Sequence, residues 1–230
     1  GTTLIGNGTG DGFYLDGKNN ITLTDFNVVN FSNGLNVRGS ENSTFSSFIF
    51  SDHHVALNLY DSSNNNLENS TIINSSEFDV TLAIGTDNYL TNVSFNNTYL
   101  NISEDGYFTT RWFLSLNVTD DLEIPLETVM FTLFNAENET VETVTSDVNG
   151  LAQLTLSEFL IDEWGYIYLP PYHLDITNNG YVPETYSPIN IDEDNQEISF
   201  SLTEISCGTT LTTDIILTEN LSSEGTCFTI

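Results

Sequence analysis

Residues 12–37 read GFYLDGKNNITLTDFNVVNFSNGLNV, and this stretch decides the fold because its apolar pattern recurs along the chain. Shifting residues 12–100 along themselves until Leu15 falls on Val37 brings the apolar positions into register, and the last repeat is one residue longer than the others. Three columns result: Leu15, Val37, Leu59 and Leu82; Leu23, Phe45, Leu67 and Leu90; and Val28, Phe50, Ile72 and Phe95. Asn, Asp and Gly residues separate the columns, as expected at turns.

Three short apolar segments per repeat, separated by turn formers, predict the coils of a β-solenoid. Successive coils stack parallel strands about 4.8 Å apart, so the members of a column lie on one another. A helical interpretation fails because the i, i+3, i+4 spacing is absent and β-branched, Asn and Ser residues dominate. An antiparallel sandwich with chance internal similarity is the alternative.

Two of these segments, residues 12–37 and SSNNNLENSTIINS at residues 62–75, resemble the right-handed parallel β-helix repeats of NosD-like and related archaeal surface proteins. The resemblance implies an all-β chain that begins with a short right-handed parallel β-helix of about four coils over residues 1–101. It implies a fold and not a chemistry. The copper association of the NosD name is not carried over, because nothing in this sequence reproduces a ligand set.

Near Asn101 the repeat stops, and alternating segments predict a sandwich of antiparallel strands. The predicted strands are Thr109–Val118, Glu127–Asn135, Glu139–Ser146, Leu151–Leu156, Tyr166–Leu169, His173–Thr177 and Glu197–Thr203. SDVNGLAQLTL at 146–156 and YHLDITNNGYVPE at 172–184 resemble carboxypeptidase-regulatory, transthyretin-like Ig-fold modules. The resemblance implies an Ig-like β-sandwich over residues 102–204 that acts as a spacer or adhesion module.

Residues 205–230, ISCGTTLTTDIILTENLSSEGTCFTI, resemble the opening of a NosD-like β-helix, and GTTLIG at residues 1–6 resembles the stretch that follows such an opening. We therefore expect a C-terminal β tail that covers an incomplete first coil, with Leu4 in the Phe26 column. We also expect the N-terminus at Gly1 to arise by processing or excision. The predicted subunit interface is apolar: Leu4, Leu15, Leu23, Leu211, Ile215, Leu217, Phe228 and Ile230.

These features favour a structural subunit of an extracellular filament, sheath or surface layer that assembles head to tail as a homopolymer. Intrachain capping in a monomer and one unit of a tandem array remain open. The runner-up function is a carbohydrate-binding or adhesive cell-surface module, which predicts exposed aromatics such as Tyr168 or Tyr172 in a groove. A degradative enzyme ranks third and we expect no catalysis, because no groove of convergent polar residues can be identified from so few coils.

Charge and cysteine usage indicate the compartment and the partners. The chain has 3 Lys and Arg against 33 Asp and Glu, a formal charge of −30 that excludes nucleic-acid partners, which require cationic side chains. No apolar stretch approaches the ~20 residues of a membrane span, so we expect no membrane insertion. Cys207 and Cys227 form an even pair that predicts a disulfide in a secreted protein.

The N-glycosylation motif Asn-x-Ser/Thr occurs twelve times, which supports an extracellular location and N-glycans as partners. The acceptors are Asn7, Asn20, Asn30, Asn42, Asn69, Asn74, Asn92, Asn96, Asn101, Asn117, Asn138 and Asn220.

Calcium is the one candidate ion; no other cofactor is expected. Asp120, Asp121, Asp147 and Asn149 supply oxygen ligands in loops that could converge, although solvated turns are the alternative.

Two further features suggest other sites but have plainer explanations. Asp52-His53-His54 is the only histidine cluster, and we expect one inward and one outward ring rather than a metal site. We expect Trp112 and Trp164 to be core or interdomain aromatics, with an exposed sugar-stacking platform as the alternative. An Asp16–Arg38 surface ion pair is also expected from the register of the repeats.

Overall fold

The computed structural model describes residues 1–191 and 196–205, and all of its regular elements in those ranges are β-strands. The chain divides into two compact units, of which the first comprises residues 1–112 and 157–169. The strands of the N-terminal half of the chain are β1 (Thr2–Ile5), β2 (Asp11–Asp16), β3 (Thr22–Thr24), β4 (Phe26–Val29), β5 (Asn33–Arg38), β6 (Thr44–Ser46), β7 (Ile49–Ser51), β8 (Val55–Tyr60), β9 (Asn66–Ile73), β10 (Phe78–Ala83), β11 (Asn88–Ser94), β12 (Leu100–Ser103) and β13 (Tyr107–Asp120).

These strands form three parallel ladders, which confirms the predicted solenoid. One ladder runs β2-β5-β8-β10-β12, a second runs β3-β6-β9-β11-β13, and a third runs β1-β4-β7-β9-β11. Each ladder contains five strand levels, so the solenoid has about five coils and the predicted four is one too few. The fifth coil lies beyond the repeats that are visible in the sequence and is shorter than the other coils. Val80 pairs with Leu100 and Asn88 with Phe108, so the offset between partners is smaller here, and a fixed shift along the sequence does not detect it.

The predicted columns lie inside the solenoid. Leu15 pairs with Val37 and Val37 with Leu59, so the first column is in register. Phe48 and Phe50 are at most 1% exposed and their ring centroids lie 5.1 Å apart. Burial of such apolar surface stabilises a fold by about 25 cal/mol per Å².

The turns between columns explain the abundance of Asn and Asp. Asn20, Asn42 and Asn64 occupy the same corner of successive coils, with φ of 57°, 56° and 57°. Asn tolerates this left-handed conformation better than most other residues with a side chain. Other polar side chains point inward and form hydrogen bonds with neighbouring coils. Asn65 is 3% exposed, and its Nδ2 donates to the Ser40 carbonyl at 3.0 Å.

Further strands follow β13: β14 (Met130–Phe134), β15 (Thr140–Thr145), β16 (Leu151–Asp162), β17 (Gly165–Tyr168), β18 (Tyr172–Thr177), β19 (Glu184–Ile189) and β20 (Gln196–Leu202). An antiparallel sheet has the order β15-β14-β18-β19. Strand β20 pairs with β13 in parallel, so the prediction of purely antiparallel strands is wrong. Strand β19 was not predicted; it contains Pro188 and lies at the edge of its sheet, where proline is tolerated.

The second unit begins at Phe113 and includes residues 113–156 and the described residues from Pro170 to Ile205. Its buried side chains include Leu116, Phe131, Leu154, Leu174 and Phe200. Residues 157–169 belong to the first unit, so the two units are not the contiguous ranges 1–101 and 102–204 predicted from the sequence. Of the predicted tail 205–230, only Ile205 is within the described residues, and it is buried.

Candidate functional sites

The first coil of the solenoid ends in open strand edges. Strands β1, β2 and β3 pair on one side only, with β4, β5 and β6, respectively, within the described part of the chain. Leu4 pairs with Val28 and not with Phe26, so its predicted column is wrong: the first coil is two residues longer than the register assumed. Unpaired strand edges expose N–H and C=O groups that another chain can pair with.

Apolar side chains accompany these open edges. Phe13 and Phe26 are half-buried, with ring centroids 4.8 Å apart. Of the predicted interface residues, Leu4 and Leu23 are half-buried and Leu15 is buried in the core. The remaining interface residues lie outside the described residues, as do both cysteines: Leu211, Ile215, Leu217, Phe228, Ile230, Cys207 and Cys227.

The predicted glycan acceptors divide by backbone conformation. Seven have positive φ, between 46° and 62°, at turns where the conformation itself favours Asn: Asn20, Asn30, Asn42, Asn69, Asn74, Asn92 and Asn138. Asn7 and Asn96 accept hydrogen bonds from nearby Thr residues through Oδ1. Asn101 and Asn117 lie in strands β12 and β13, and Asn220 lies outside the described residues. Much of the motif density therefore has a structural explanation.

The predicted calcium ligands act as turn formers. The Asp120 carboxylate accepts two backbone N–H groups of its own turn at 2.8 and 2.9 Å. Asp147 accepts the N–H groups of Asn149 and Leu151 at 2.8 and 3.0 Å, and these hydrogen bonds lower the pKa of its carboxyl. Asp121 is exposed. Within residues 1–191 and 196–205, no three His, Cys, Asp or Glu side chains form a group that could hold a metal ion.

The adjacent histidines point to opposite sides of the chain, as predicted. His53 is 1% exposed; its Nε2 lies 2.9 Å from the Val28 carbonyl oxygen and its Nδ1 accepts the Phe31 N–H at 3.2 Å. Burial lowers the pKa of His53, because desolvation penalises the charged ring. His54 is exposed and its Nε2 lies 2.8 Å from the Glu77 carboxylate.

Arg38 does not pair with Asp16 as predicted. The two residues are neighbours in the β2–β5 ladder, but the described residues contain no ion pair between them. The Arg38 guanidinium lies over the Tyr60 ring instead, 4.9 Å from its centroid.

The two tryptophans differ in environment. Trp112 is half-buried, and its Nε1 donates to the Glu158 carboxylate at 2.6 Å, in line with a packed aromatic. Trp164 is 88% exposed at the tip of the β16–β17 hairpin, so the prediction of a core role is wrong. Tyr168, on the same hairpin, is 48% exposed, whereas Tyr172 is buried.

A groove lies beside this hairpin, within the first unit, with a volume of about 370 Å³. One wall is formed by residues 97, 98 and 100–102, the last three of which lie in β12, and the other wall is formed by residues 161–166. The sequence analysis did not predict this groove. The segment Asp162-Glu163-Trp164-Gly165 lies between two alternating strands and is a hairpin-turn signal, which would have placed Trp164 at an exposed tip.

Comparison with known families supports the solenoid geometry. A family model described as a right-handed β-helix region matches residues 2–121, just over half of the chain. The chain belongs to this right-handed β-helix family. The match covers all three parallel ladders and extends through the end of β13. No curated protein matches the chain significantly.

Two solved structures are similar to parts of the chain. The Bacillus anthracis TIE protein is 20% identical, with a TM-score of 0.33, and the match covers 46% of this chain and 18% of that one. The shaft pilin SpaA from Lactobacillus rhamnosus GG is 18% identical, with a TM-score of 0.29, and the match covers 42% of this chain and 48% of that one. The chain thus spans less than half of each of these proteins. Among the described residues, no helix is long and apolar enough to cross a membrane.

Proposed function

We propose that this protein is a non-enzymatic structural subunit of a secreted, glycosylated filament, sheath or surface layer of the archaeal type. In this proposal, residues 206–230 of one molecule complete the first coil of the next. The observation that carries it is the set of three open edges on β1, β2 and β3, each unpaired on its outer side within the described residues. Because all three faces of the coil are open together, a single added coil would pair with every edge at once.

The length of the C-terminal segment fits this role. Residues 206–230 span slightly more than the stretch from Leu15 to Val37 that makes up one coil, and their apolar positions include Leu211, Ile215 and Leu217. A coil donated by another molecule forms a heterologous contact, which propagates into a fibre or sheet unless a rotation closes it. The second unit, which we assign to the Ig-like class, would serve as a spacer between successive solenoids.

A truncated chain that ends at Ile205 tests the assembly. We expect the full-length protein to form polymers visible by negative-stain electron microscopy, and the truncated chain to remain monomeric by light scattering. Adding a synthetic peptide of residues 206–230 to the truncated chain should produce a one-to-one complex. A full-length protein that stays monomeric in salt and calcium would contradict the proposal and favour the adhesive alternative.

A proline in β1 tests the open edge directly. The N–H groups of Thr2 and Gly6 donate to the carbonyls of Asp25 and Val29, at 2.9 and 2.8 Å, so the alternate N–H of Thr3 faces the open edge. Thr3→Pro removes this outward donor while leaving the β1–β4 hydrogen bonds in place. We expect Thr3→Pro to abolish polymers and the matched Thr3→Ala to retain them. Normal polymers from Thr3→Pro would show that the β1 edge is not used.

A further inference from the structure

The groove beside the β16–β17 hairpin is held in shape from both sides. The Asp162 carboxylate accepts the backbone N–H groups of Trp164 and Gly165 at 2.8 and 3.0 Å, which fixes the hairpin turn. The Tyr166 hydroxyl donates to the Asn97 carbonyl oxygen, which joins the hairpin to the opposite wall. The groove is therefore bounded by fixed backbone rather than by two independent loops.

The end of the hairpin carries large side chains that remain exposed, although the Tyr166 ring also contacts Phe159, with centroids 5.8 Å apart. Trp164 is 88% exposed, and Tyr166 and Ile167 are 49% and 53% exposed. Large apolar side chains grouped on a surface mark binding sites more often than isolated ones do. An indole face beside amide, hydroxyl and carboxylate groups suits a ligand that is apolar on one face and rich in hydroxyl groups at its edges.

Asn101 lies in the opposite wall of this groove and begins the motif Asn101-Ile102-Ser103. Unlike the seven turn acceptors, it lies in a strand without a positive φ, so the backbone does not require Asn at this position. Its side chain is exposed, and its amide makes no hydrogen bond within residues 1–191 and 196–205. Among the described strands, β12 pairs only with β10 in its sheet, which leaves Asn101 at an open edge.

We propose that Asn101 carries an N-glycan and that this groove holds the first sugars of that glycan, with a pyranose ring against Trp164. Asp162 and Glu163 would accept hydrogen bonds from sugar hydroxyls. No Lys or Arg is among the described residues that line the groove, so its chemistry suits neutral sugars rather than sulfated or acidic ones.

The modification is an ordinary N-glycosyl transfer. A bond forms between Nδ2 of Asn101 and the anomeric carbon of a glycosyl diphosphate donor, the diphosphate leaves, and the amide loses one proton. The host supplies the donor and the transferase, and the groove contributes only to holding the attached sugars. This site is separate from the open edges of the first coil, and the inference does not depend on polymer formation.

Secretion of the full-length chain from a eukaryotic glycosylating host tests the inference in two steps. Glycopeptide mass spectrometry should find Asn101 modified. Acrylamide quenching of tryptophan emission should then show Trp164 shielded in the parent and more accessible, by about twofold, in Asn101→Gln. The Trp164 contribution is obtained by subtracting the emission of Trp164→Phe, in which Trp112 is retained.

Asn117→Gln is the matched control, because it removes the other strand acceptor away from the groove lining and should leave Trp164 quenching unchanged. An unmodified Asn101 overturns the proposal. A modified Asn101 with equal Trp164 quenching in the parent and in Asn101→Gln also overturns it, since the glycan would then project into solvent.

Discussion

At the residue scale, His53 is a titratable side chain with a structural role. Its two ring nitrogens form hydrogen bonds with the Val28 carbonyl and the Phe31 N–H, which are backbone groups of the preceding coil. Gly34 leaves room for the ring, because a Cβ at that position would lie 3.0 Å from His53 Nε2. A neutral ring satisfies both partners, and a proton on Nδ1 would oppose the Phe31 N–H.

We therefore expect His53 to make stability depend on pH. Burial lowers the folded-state pKa below the ordinary value of 6.5, so the unfolded chain binds the proton more readily. The contribution is complete above pH 6.5 and is lost as the pH falls from there toward the folded-state pKa, by up to about 1.4 kcal/mol per pH unit. Urea unfolding between pH 7.5 and 5.5 measures this loss.

The variant His53→Gln removes the titrating group and should flatten the pH dependence over this range. His54→Gln is the comparison variant, since it replaces an exposed histidine at the neighbouring position. An unchanged slope in His53→Gln would show that other groups cause the pH dependence.

At the element scale, strand β7 illustrates the two-residue alternation that separates core from surface. Ile49 is 45% exposed and Phe50 is fully buried, although both are large apolar residues. The neighbouring strands explain the difference, because Phe50 pairs with Val28 and Ile72 in an inward column. The same alternation made the column visible in the sequence.

Phe50→Ala should therefore destabilise the protein far more than Ile49→Ala. A fully buried Phe→Ala change leaves a cavity and costs about 3–5 kcal/mol, whereas a surface change costs within about 0.5 kcal/mol. Chemical denaturation of the two variants measures the difference. Equal losses would show that the β7 strand is shifted by one residue from the described register.

At the scale of the whole molecule, the dominant feature is the formal charge of −30. With only 3 cationic Lys and Arg residues, the carboxylates repel one another and oppose the compact state. The Debye length falls from about 30 Å at 0.01 M salt to about 10 Å at 0.1 M, so moderate salt screens this repulsion.

The thermal midpoint should accordingly rise between 10 and 300 mM sodium chloride. A gain of about 1 kcal/mol corresponds to a rise of about 2–4 °C for a chain of this size. Differential scanning calorimetry of the truncated chain ending at Ile205 keeps assembly out of the measurement. A midpoint that falls with salt would mean that attractive charge pairs outweigh the repulsion.

The sequence by itself determined the solenoid. A β-strand places alternate side chains on opposite faces, and stacked coils repeat the same environment, so Leu15, Val37 and Leu59 appear as a periodic signal. Turn positions were equally visible, because the left-handed conformation selects Asn, Asp and Gly. Where coil length changed, at Leu4 and near Asn101, the fixed shift no longer matched and the register prediction failed.

Tertiary structure alone decided the remaining features. The parallel pairing of β20 with β13 joins segments that are far apart in the chain, and local patterns carry no information about such a partner. The exposure of Trp164 follows from the turn that Asp162 holds, and its position in the groove with Asn101 follows from the return of residues 157–169 to the first unit. Periodicity encodes the repeating environment of a side chain; a site formed once, from distant segments, exists only after the chain has folded.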